Sequence, residues 1–222
     1  MDIRHGTAMQ MEILLETAVK IGKNQLVLLG PPGTGKTTTL MGMVEEYIND
    51  QIPPEQIALV SFTKKAVGEA ADRACKKFTF ARNRFPLFQT VHSLCFNQLG
   101  LTKNALLGRQ NYIELGEWLG YDLSGQYDMA DGTLPSGAAP GDRFLFLDNI
   151  ARVRCKEIRE VWEDEGADVP WAEQDRFSRG YKRYRERTGL LDFTDLLLCF
   201  IEEGRPTKAK RALIDEAQDL SR

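Results

Sequence analysis

The chain has 222 residues, 42% of them hydrophobic, and a formal net charge of −3. This length is enough for one or two domains with a buried core. The acidic balance excludes a uniformly basic nucleic-acid-binding protein, so any such surface must be local. The N-terminus has no long apolar run and no segment suits a bilayer, which predicts a cytoplasmic protein without a membrane partner.

The cysteines and histidines give no metal-binding pattern. The four cysteines are widely spaced and form no CxxC pair, which favours reduced structural thiols. Only two histidines occur, His5 and His92, which argues against a histidine-rich metal site.

The segment "LVLLGPPGTGKTTTL" has the spacing of a phosphate-binding loop. Gly30, Gly35, Lys36 and Thr37 satisfy the pattern G-x-x-x-x-G-K-[ST]. Glycines let backbone N–H groups surround phosphate oxygens, the lysine reaches the β- and γ-phosphates, and the threonine hydroxyl ligates Mg²⁺. The residues expected to bind the nucleotide are Gly30, Gly33, Thr34, Gly35, Lys36, Thr37 and Thr38.

The segments on either side of this loop support the same interpretation. The four apolar residues Leu26–Leu29 predict a buried parallel strand before the loop. Apolar residues at helical spacing after Thr37 predict a helix, whose N-terminal dipole favours an anion.

A second acidic element lies near the C-terminus, in "RALIDEAQDLSR". Ala212–Ile214 form a short apolar strand that leads into Asp215 and Glu216. Asp215 suits a Mg²⁺ ligand, acting through water, and Glu216 suits the base that polarises the attacking water. Gln218 is a candidate sensor of the γ-phosphate. The predicted catalytic residues are therefore Lys36, Glu216 and Gln218, and the predicted metal ligands are Thr37 and Asp215.

The separation of these two elements predicts an insertion. One βαβ unit takes roughly 30 residues. The strand before the phosphate loop and the strand before the acid pair should lie in one sheet, yet they are much farther apart in sequence. We expect a nucleotide-binding domain over 1–98 and 189–222. A helical insertion over 99–188 should contain a flexible Gly-, Ala-, Ser-, Pro- and Asp-rich loop over 121–142.

Other segments predict elements around the loop. Ile57–Phe62 predicts a second buried strand, Thr63–Lys77 a helix with an alanine-rich face, and Leu87–Val91 a third short strand. Between Ser61 and Arg84 seven basic residues outnumber two acidic ones, a local charge of +5. Taken alone, this run favours an ordinary solvated helix face.

The insertion shows helical periodicity. Tyr112–Leu119 and Phe144–Trp162 predict helices, and Pro170 precedes another. In that last helix three aromatic residues at i, i+4 and i+7 favour a buried stripe over nucleic-acid stacking. They are Phe177, Tyr181 and Tyr184.

Five segments together resemble the successive motifs of UvrD/Rep-like superfamily 1 DNA helicases. In chain order they are "LVLLGPPGTGKTTTL", "ALVSFTKKAVGEAADR", "FQTVHSLCF", "GLLDFTDLL" and "ALIDEAQDLS". The resemblance implies an α/β fold, a P-loop NTPase of the RecA-like type with a parallel sheet and helices on both faces, interrupted by a mainly helical insertion. It also implies an ATP-driven motor that moves 3′ to 5′ along single-stranded DNA.

The resemblance also implies residues that contact DNA. "FTKKAV" matches one of the family's DNA-contact segments, with Lys64 in place of its usual Asn, and "TVHS" matches another. The implied contacts are Phe62, Thr63, Lys64, Lys65, His92 and Ser93.

Further residues follow from the same comparison. Asp192, Phe193 and Asp195 match the family's "LDFxDLL" segment and are interpreted as mainly structural. The family has an adenine-reading glutamine upstream of the loop, for which Gln10 is the candidate and Gln25 the alternative.

The sequence therefore predicts the N-terminal motor-domain portion of an ATP-dependent helicase that acts in DNA repair or replication. Its cofactors would be ATP and Mg²⁺, and its partners single-stranded DNA or a single/double-strand junction and a second RecA-like domain. Such a portion should bind ATP without being a competent helicase. The alternative is an ATP-dependent DNA-binding or regulatory module. The sequence lacks the [NT]KxD motif with which GTPases bind guanine, which argues against a GTPase. A small-molecule kinase would leave the DNA-contact segments unexplained.

Overall fold

The computed structural model describes residues 18–22, 25–28, 34–125 and 137–217, with side chains from residue 34 onward. The chain divides into two compact units. The first combines the residues up to Val91 with Lys208–Ala217, and the second begins at His92 and continues through Thr207. The second unit therefore interrupts the first in sequence.

This division differs from the boundaries expected from sequence, which fell after residues 98 and 188. It falls after residues 91 and 207 instead. Ion pairs from Arg152 to Asp192 and Asp195 tie the "LDFTDLL" segment to the second unit. The expected boundaries were set by sequence motifs, whereas the limits of a compact unit depend on long-range contacts such as these ion pairs.

The first unit alternates strands and helices, which confirms the predicted α/β class. Its elements are β1 Ala18–Gly22, β2 Gln25–Leu28, α1 Lys36–Asn49, β3 Ile57–Ser61, α2 Lys64–Phe78, β4 Phe88–Thr90 and β5 Arg211–Ile214.

Strand β3 is the centre of a parallel sheet with the order β4-β3-β5. All five of its residues are buried, as expected for a strand covered on both faces. The register places Leu59 opposite Phe88 on one side and Leu213 on the other. Because the strands are parallel, their carboxyl ends meet at one edge, where α/β proteins bind ligands.

The strand before the phosphate loop differs from its prediction. Strand β2 pairs antiparallel with β1 in a separate two-stranded sheet, and the described ladders do not join it to β3 or β5. Only residues 23 and 24 separate β1 from β2, and so short a connection joins antiparallel strands, whereas parallel strands need a long crossover. The pairing seen for β2 is therefore antiparallel, where a parallel strand was expected. That β2 shares one sheet with the acidic strand stays a prediction.

Helices α1 and α2 pack into one core with the parallel sheet. Leu40 and Val44 of α1 join Leu59 and Leu213 in this core. Helix α2 contributes four small or branched residues at helical spacing, which allow a close approach to the sheet. They are Val67, Ala70, Ala71 and Ala74.

The second unit is helical. Its helices are α3 Val91–Gln98, which begins at the last residue of the first unit, α4 Arg109–Leu119, α5 Asp142–Val153, α6 Ile158–Glu165, α7 Trp171–Thr188 and α8 Phe193–Glu203. The helical periodicity over 144–162 corresponds to two helices, with Cys155 at a left-handed φ of 51° between them. Within the described ranges, no helix combines the length and apolar character that crossing a membrane requires.

The aromatic stripe of α7 is core, as the sequence favoured. Phe177 and Tyr181 are fully buried and Tyr184 nearly so. Gly180 lets α4 approach this helix, since a Cβ there would lie 2.5 Å from Leu119 Cδ2. The stripe therefore stabilises the second unit and is not available to stack on bases.

The two ends of the predicted flexible loop are packed. The Tyr121 ring contacts the rings of Phe144 and Phe177 at 5.0 and 5.3 Å between centroids, and Leu123 is buried. The buried Asp142 carboxylate accepts hydrogen bonds from the backbone N–H groups of residue 124 at 3.1 Å and residue 139 at 2.8 Å. The composition predicted flexibility at these ends because it carries no information on contacts between residues distant in sequence. Residues 126–136 lie outside the described ranges.

A buried ion network joins α5 to α8. The Arg152 guanidinium contacts the carboxylates of Asp148 at 3.1 Å and Asp195 at 2.9 Å, and also that of Asp192. Asp192 caps α8 by accepting from the Asp195 N–H at 2.7 Å, and its carboxylate accepts from the Tyr181 hydroxyl. The predicted structural role of this segment is thus supported by its contacts.

Candidate nucleotide site and DNA-contact segments

Helix α1 begins at the end of the phosphate loop. Gly35 has φ 87° and ψ 16°, a left-handed conformation that only glycine adopts without strain. Its carbonyl accepts from the Thr39 N–H at 2.9 Å and the Thr39 hydroxyl at 3.3 Å. These bonds fix the turn that sets Lys36 as the first residue of the helix.

The start of α1 is suited to an anion. The first turn contains no acidic residue, and among the described residues no side chain caps it. The helix dipole and the first N–H groups therefore favour a phosphate. Lys36 and Thr37 are half-buried beside this terminus, and Thr34 and Thr38 are exposed.

Four predicted nucleotide-site residues lie outside the described residues. They are Gln10, Gly30, Gly33 and Gln218. Their roles remain predictions from the sequence.

Asp215 lies at the carboxyl edge of the parallel sheet, directly after β5. Its N–H donates to the Val60 carbonyl at 2.9 Å, and the residue is 6% exposed. Burial raises the pKa of Asp215, and the neighbouring Glu216 charge raises it further, while the charge of Lys36 opposes both. The structure therefore brings the predicted lysine and the predicted metal ligand close enough for their charges to interact.

Glu216 follows with an unusual backbone. Its φ is 52°, in the left-handed region that non-glycine residues rarely adopt. Its side chain is half-buried. Such strain is found where the surrounding structure imposes it, often at functional sites, and here it directs the turn that leaves the sheet edge.

The first predicted DNA-contact segment connects β3 to α2. Phe62 is half-buried, and Thr63 caps α2 because its hydroxyl accepts from the Ala66 N–H at 3.1 Å. Lys64 and Lys65 are exposed in the first turn of the helix. Thr63 thus has a structural role that the sequence prediction did not include.

The basic run around α2 is partly neutralised. Lys77 pairs with Glu45 at 2.6 Å, Arg82 with Asp72 at 3.0 Å, and Arg84 with Glu55. Four further cations have no ion pair among the described residues, and all are exposed. They are Lys64, Lys65, Arg73 and Lys76.

The second predicted DNA-contact segment lies in the second unit. His92 and Ser93 are half-buried in the first turn of α3. The His92 ring meets the Phe193 ring edge-on, with centroids 5.2 Å apart and an interplanar angle of 75°. This contact orients the imidazole, and Phe193 itself is 38% exposed.

Sequence reasoning missed one residue at the sheet edge. Ser61 ends β3, is 1% exposed, and its hydroxyl has no hydrogen-bond partner among the described residues. A polar residue that ends an otherwise apolar strand is the sequence signal that could have identified it.

A parallel sheet with a lysine-bearing helix N-terminus and an acid pair at its carboxyl edge defines a P-loop NTPase domain. The family model described as UvrD/REP helicase N-terminal domain matches residues 14–222. The chain belongs to this family, which confirms the resemblance found in the sequence.

A relative of known sequence agrees with this assignment. The chain is 26% identical over 222 residues to a Bacillus subtilis (strain 168) protein named "Putative ATP-dependent DNA helicase YjcD". The match covers 92% of this chain and 28% of that protein. The chain thus spans little more than a quarter of the length of the relative it matches.

The residues at the sheet edge fit a magnesium–nucleotide group. Mg²⁺ prefers oxygen ligands, keeps several waters, and binds through one or two carboxylates together with phosphates. Thr37 and Asp215 supply such oxygens, and within the described ranges no group of three or more acidic, histidine or cysteine side chains is arranged to hold a metal ion. The orphaned hydroxyl of Ser61 gives the same edge an unused polar group.

Proposed function

We propose that this chain binds Mg-ATP and, within a larger protein, drives movement 3′ to 5′ along single-stranded DNA. The observation that carries the proposal is the meeting of two elements distant in sequence. The charge of Lys36, at the start of α1, acts on Asp215, at the carboxyl edge of the sheet. Membership of the helicase family supports the ATP-driven activity.

The chemistry follows from the residue types. Lys36 would bind the β- and γ-phosphates and the α1 N-terminus would contribute its N–H groups. Thr37 and Asp215 would hold Mg²⁺, which neutralises charge on the phosphates when bound. Glu216 would orient the attacking water and accept its proton.

The DNA surface is proposed on the residues around the start of α2. Lys64 and Lys65 would neutralise backbone phosphates, a contact that carries no sequence information. Phe62 would offer a ring on which any base stacks. His92 and Ser93 are proposed as further contacts, on the other unit. A motor that advances along DNA of any sequence requires contacts that do not depend on the bases.

We further propose that the chain alone hydrolyses ATP very slowly. The resemblance assigns the arginines that stabilise charge on the transferring phosphate to a second RecA-like domain. Such an arginine is worth roughly 10³ to 10⁵ in rate. The chain would therefore hold the groups that bind Mg-ATP and position water, but not those that stabilise the transition state.

The test is ATP hydrolysis with and without single-stranded DNA, together with strand separation on a 3′-tailed duplex. We expect slow turnover, a further fall of at least about 100-fold in Glu216→Gln, and no strand separation. Glu117→Gln removes an exposed carboxylate of the second unit and should change nothing. Rapid DNA-stimulated turnover or unwinding by this chain would contradict the proposal of a slow motor portion.

Binding measurements beside the same hydrolysis assay distinguish the alternative function. Binding of Mg-ATP and single-stranded DNA, with no turnover that Glu216→Gln removes, would favour an ATP-dependent DNA-binding or regulatory module.

A further inference from the structure

The hydroxyl of Ser61 is an anomaly in the core of the first unit. The residue is 1% exposed, yet its Oγ finds no partner within the described ranges. Buried hydroxyls are nearly always hydrogen-bonded, because an unpaired one costs stability without return. A buried polar group left unpaired in the free protein points to a hydrogen bond that forms only when a ligand is bound.

The strand register identifies what lies beside this hydroxyl. Ser61 pairs with Thr90 of β4. On the other side Val60 pairs with Ile214, so the register extended by one residue sets Ser61 beside Asp215. Thr90, Ser61 and Asp215 therefore form a polar row across the carboxyl edge of the sheet.

This polar row faces the side of the sheet on which α1 packs. Side chains alternate along a strand, so Ser61 and Leu59 share one face of β3. Leu59 packs in the core that contains Leu40 and Val44 of α1. The Lys36 ammonium at the start of that helix acts on the Asp215 carboxylate, so the row lies on the side of the phosphate-binding terminus.

We propose that Ser61 is a positioning residue of the Mg-ATP site, whose hydroxyl donates to the Asp215 carboxylate, directly or through one water, when Mg-ATP is bound. This inference rests on the proposed nucleotide-binding function. The hydroxyl would hold the carboxylate in the orientation that suits the metal and would not itself touch the reacting atoms.

The test uses the whole chain and the variants Ser61→Ala and Ser61→Thr. Without nucleotide, Ser61→Ala should melt no lower than the parent, because the lost hydroxyl had no partner. Its affinity for Mg-ATP should fall about tenfold or more, the effect of a hydrogen bond to a charged group. Its affinity for ATP in the presence of EDTA should be unchanged, and Ser61→Thr should restore Mg-ATP binding.

A matched control removes a buried hydroxyl that does have a partner. Thr194 is 3% exposed in the second unit, and its hydroxyl lies 3.3 Å from the Asn149 amide oxygen. Thr194→Val should lower the melting temperature and leave Mg-ATP affinity unchanged.

The outcomes distinguish this inference from the proposed function. A parent chain that does not bind Mg-ATP contradicts the proposed function itself. A parent that binds while Ser61→Ala binds equally well overturns the role of Ser61 alone. A lower melting temperature for nucleotide-free Ser61→Ala, or an equal loss of affinity with EDTA present, would also overturn it, because the hydroxyl would then serve the fold or the nucleotide and not the metal-holding carboxylate.

Discussion

The amide nitrogen of Asp215 donates a 2.9 Å hydrogen bond to the carbonyl oxygen of Val60. This bond continues the parallel ladder one residue beyond β5, so the backbone that carries the acid pair is fixed to the buried central strand. A carboxylate held on a strand is positioned more tightly than one on a loop. The backbone of the candidate metal ligand is therefore fixed before nucleotide arrives.

The left-handed glycine at the start of α1 should be intolerant of a side chain. A Cβ at φ 87° strains the backbone, so Gly35→Ala should lower the free energy of unfolding by about 1–2 kcal/mol. It should also weaken Mg-ATP binding, because the turn orients the helix N-terminus. Chemical denaturation and calorimetric titration of the variant measure the two effects.

Gly68 provides the matched control for this substitution. It lies within α2, and a Cβ there would meet nothing within 4 Å. Gly68→Ala should raise the free energy of unfolding by up to about 1 kcal/mol, because alanine is the better helix former. Equal effects of the two substitutions would show that the conformation of Gly35 carries no cost.

The two lysines at the start of α2, which have no ion pair within the described ranges, should contribute to the salt dependence of DNA binding. Each phosphate contact on single-stranded DNA contributes about 0.7 to the slope of log affinity against log salt. Replacing Lys64 and Lys65 with Ala should therefore reduce the slope by about 1.4. Fluorescence anisotropy of a labelled single strand over a salt series measures it.

Arg82 and Arg84 are the control for that pair, since both are held by carboxylates. Replacing them should change the slope less than replacing the lysines. A salt slope that changes with the arginines and not with the lysines would contradict a DNA contact at the start of α2. A strong preference for one base sequence would also contradict it.

The buried carboxylate of Asp192 should stabilise the second unit above acid pH. Burial alone would raise the pKa of Asp192, but the charge and hydrogen bonds of Arg152 outweigh it, and the pKa lies below its ordinary value near 3.8. A lowered folded-state pKa gives stability that is present above the unfolded value and lost as the pH falls through the folded one. Asp192→Asn should cost about 3 kcal/mol at neutral pH, and the gap should close below pH ~4.

Asp148 supplies a control of opposite sign in the same network. Burial raises the pKa of Asp148 despite the nearby Arg152, so its protonation at low pH favours the folded state. Asp148→Asn should therefore gain stability relative to the parent as the pH rises. Denaturant titrations over a pH series give both curves, and parallel curves for the two variants would refute the assignment.

Much of the first unit was predictable because its signals are local. The continuous apolar run of β3 marks a strand covered on both faces, and alanines at helical spacing mark α2. In the second unit the stripe of Phe177, Tyr181 and Tyr184 marks a buried face. Gly35, Lys36 and the acid pair were identified as candidates from short motifs, because phosphate and Mg²⁺ binding require these residue types at this spacing.

The remainder depends on contacts between distant residues. The apolar run around Leu26 predicts a strand but not its partner, and the antiparallel pairing with β1 was missed. Asp142 was predicted to belong to a polar loop, but its carboxylate accepts hydrogen bonds from the N–H groups of residues 124 and 139. Ser61 matters only because parallel pairing sets it beside Asp215, a relationship that the sequence order conceals.

The most direct test of the account is a calorimetric titration of Mg-ATP into the parent chain and into Lys36→Ala. A charged phosphate contact is worth roughly 1.5–3 kcal/mol, so we expect Lys36→Ala to lose affinity by a factor of at least about ten. Lys182→Ala, an exposed lysine on α7 of the second unit, is the control and should bind like the parent. Equal affinities for the parent and Lys36→Ala would contradict the claim that this helix terminus binds the nucleotide.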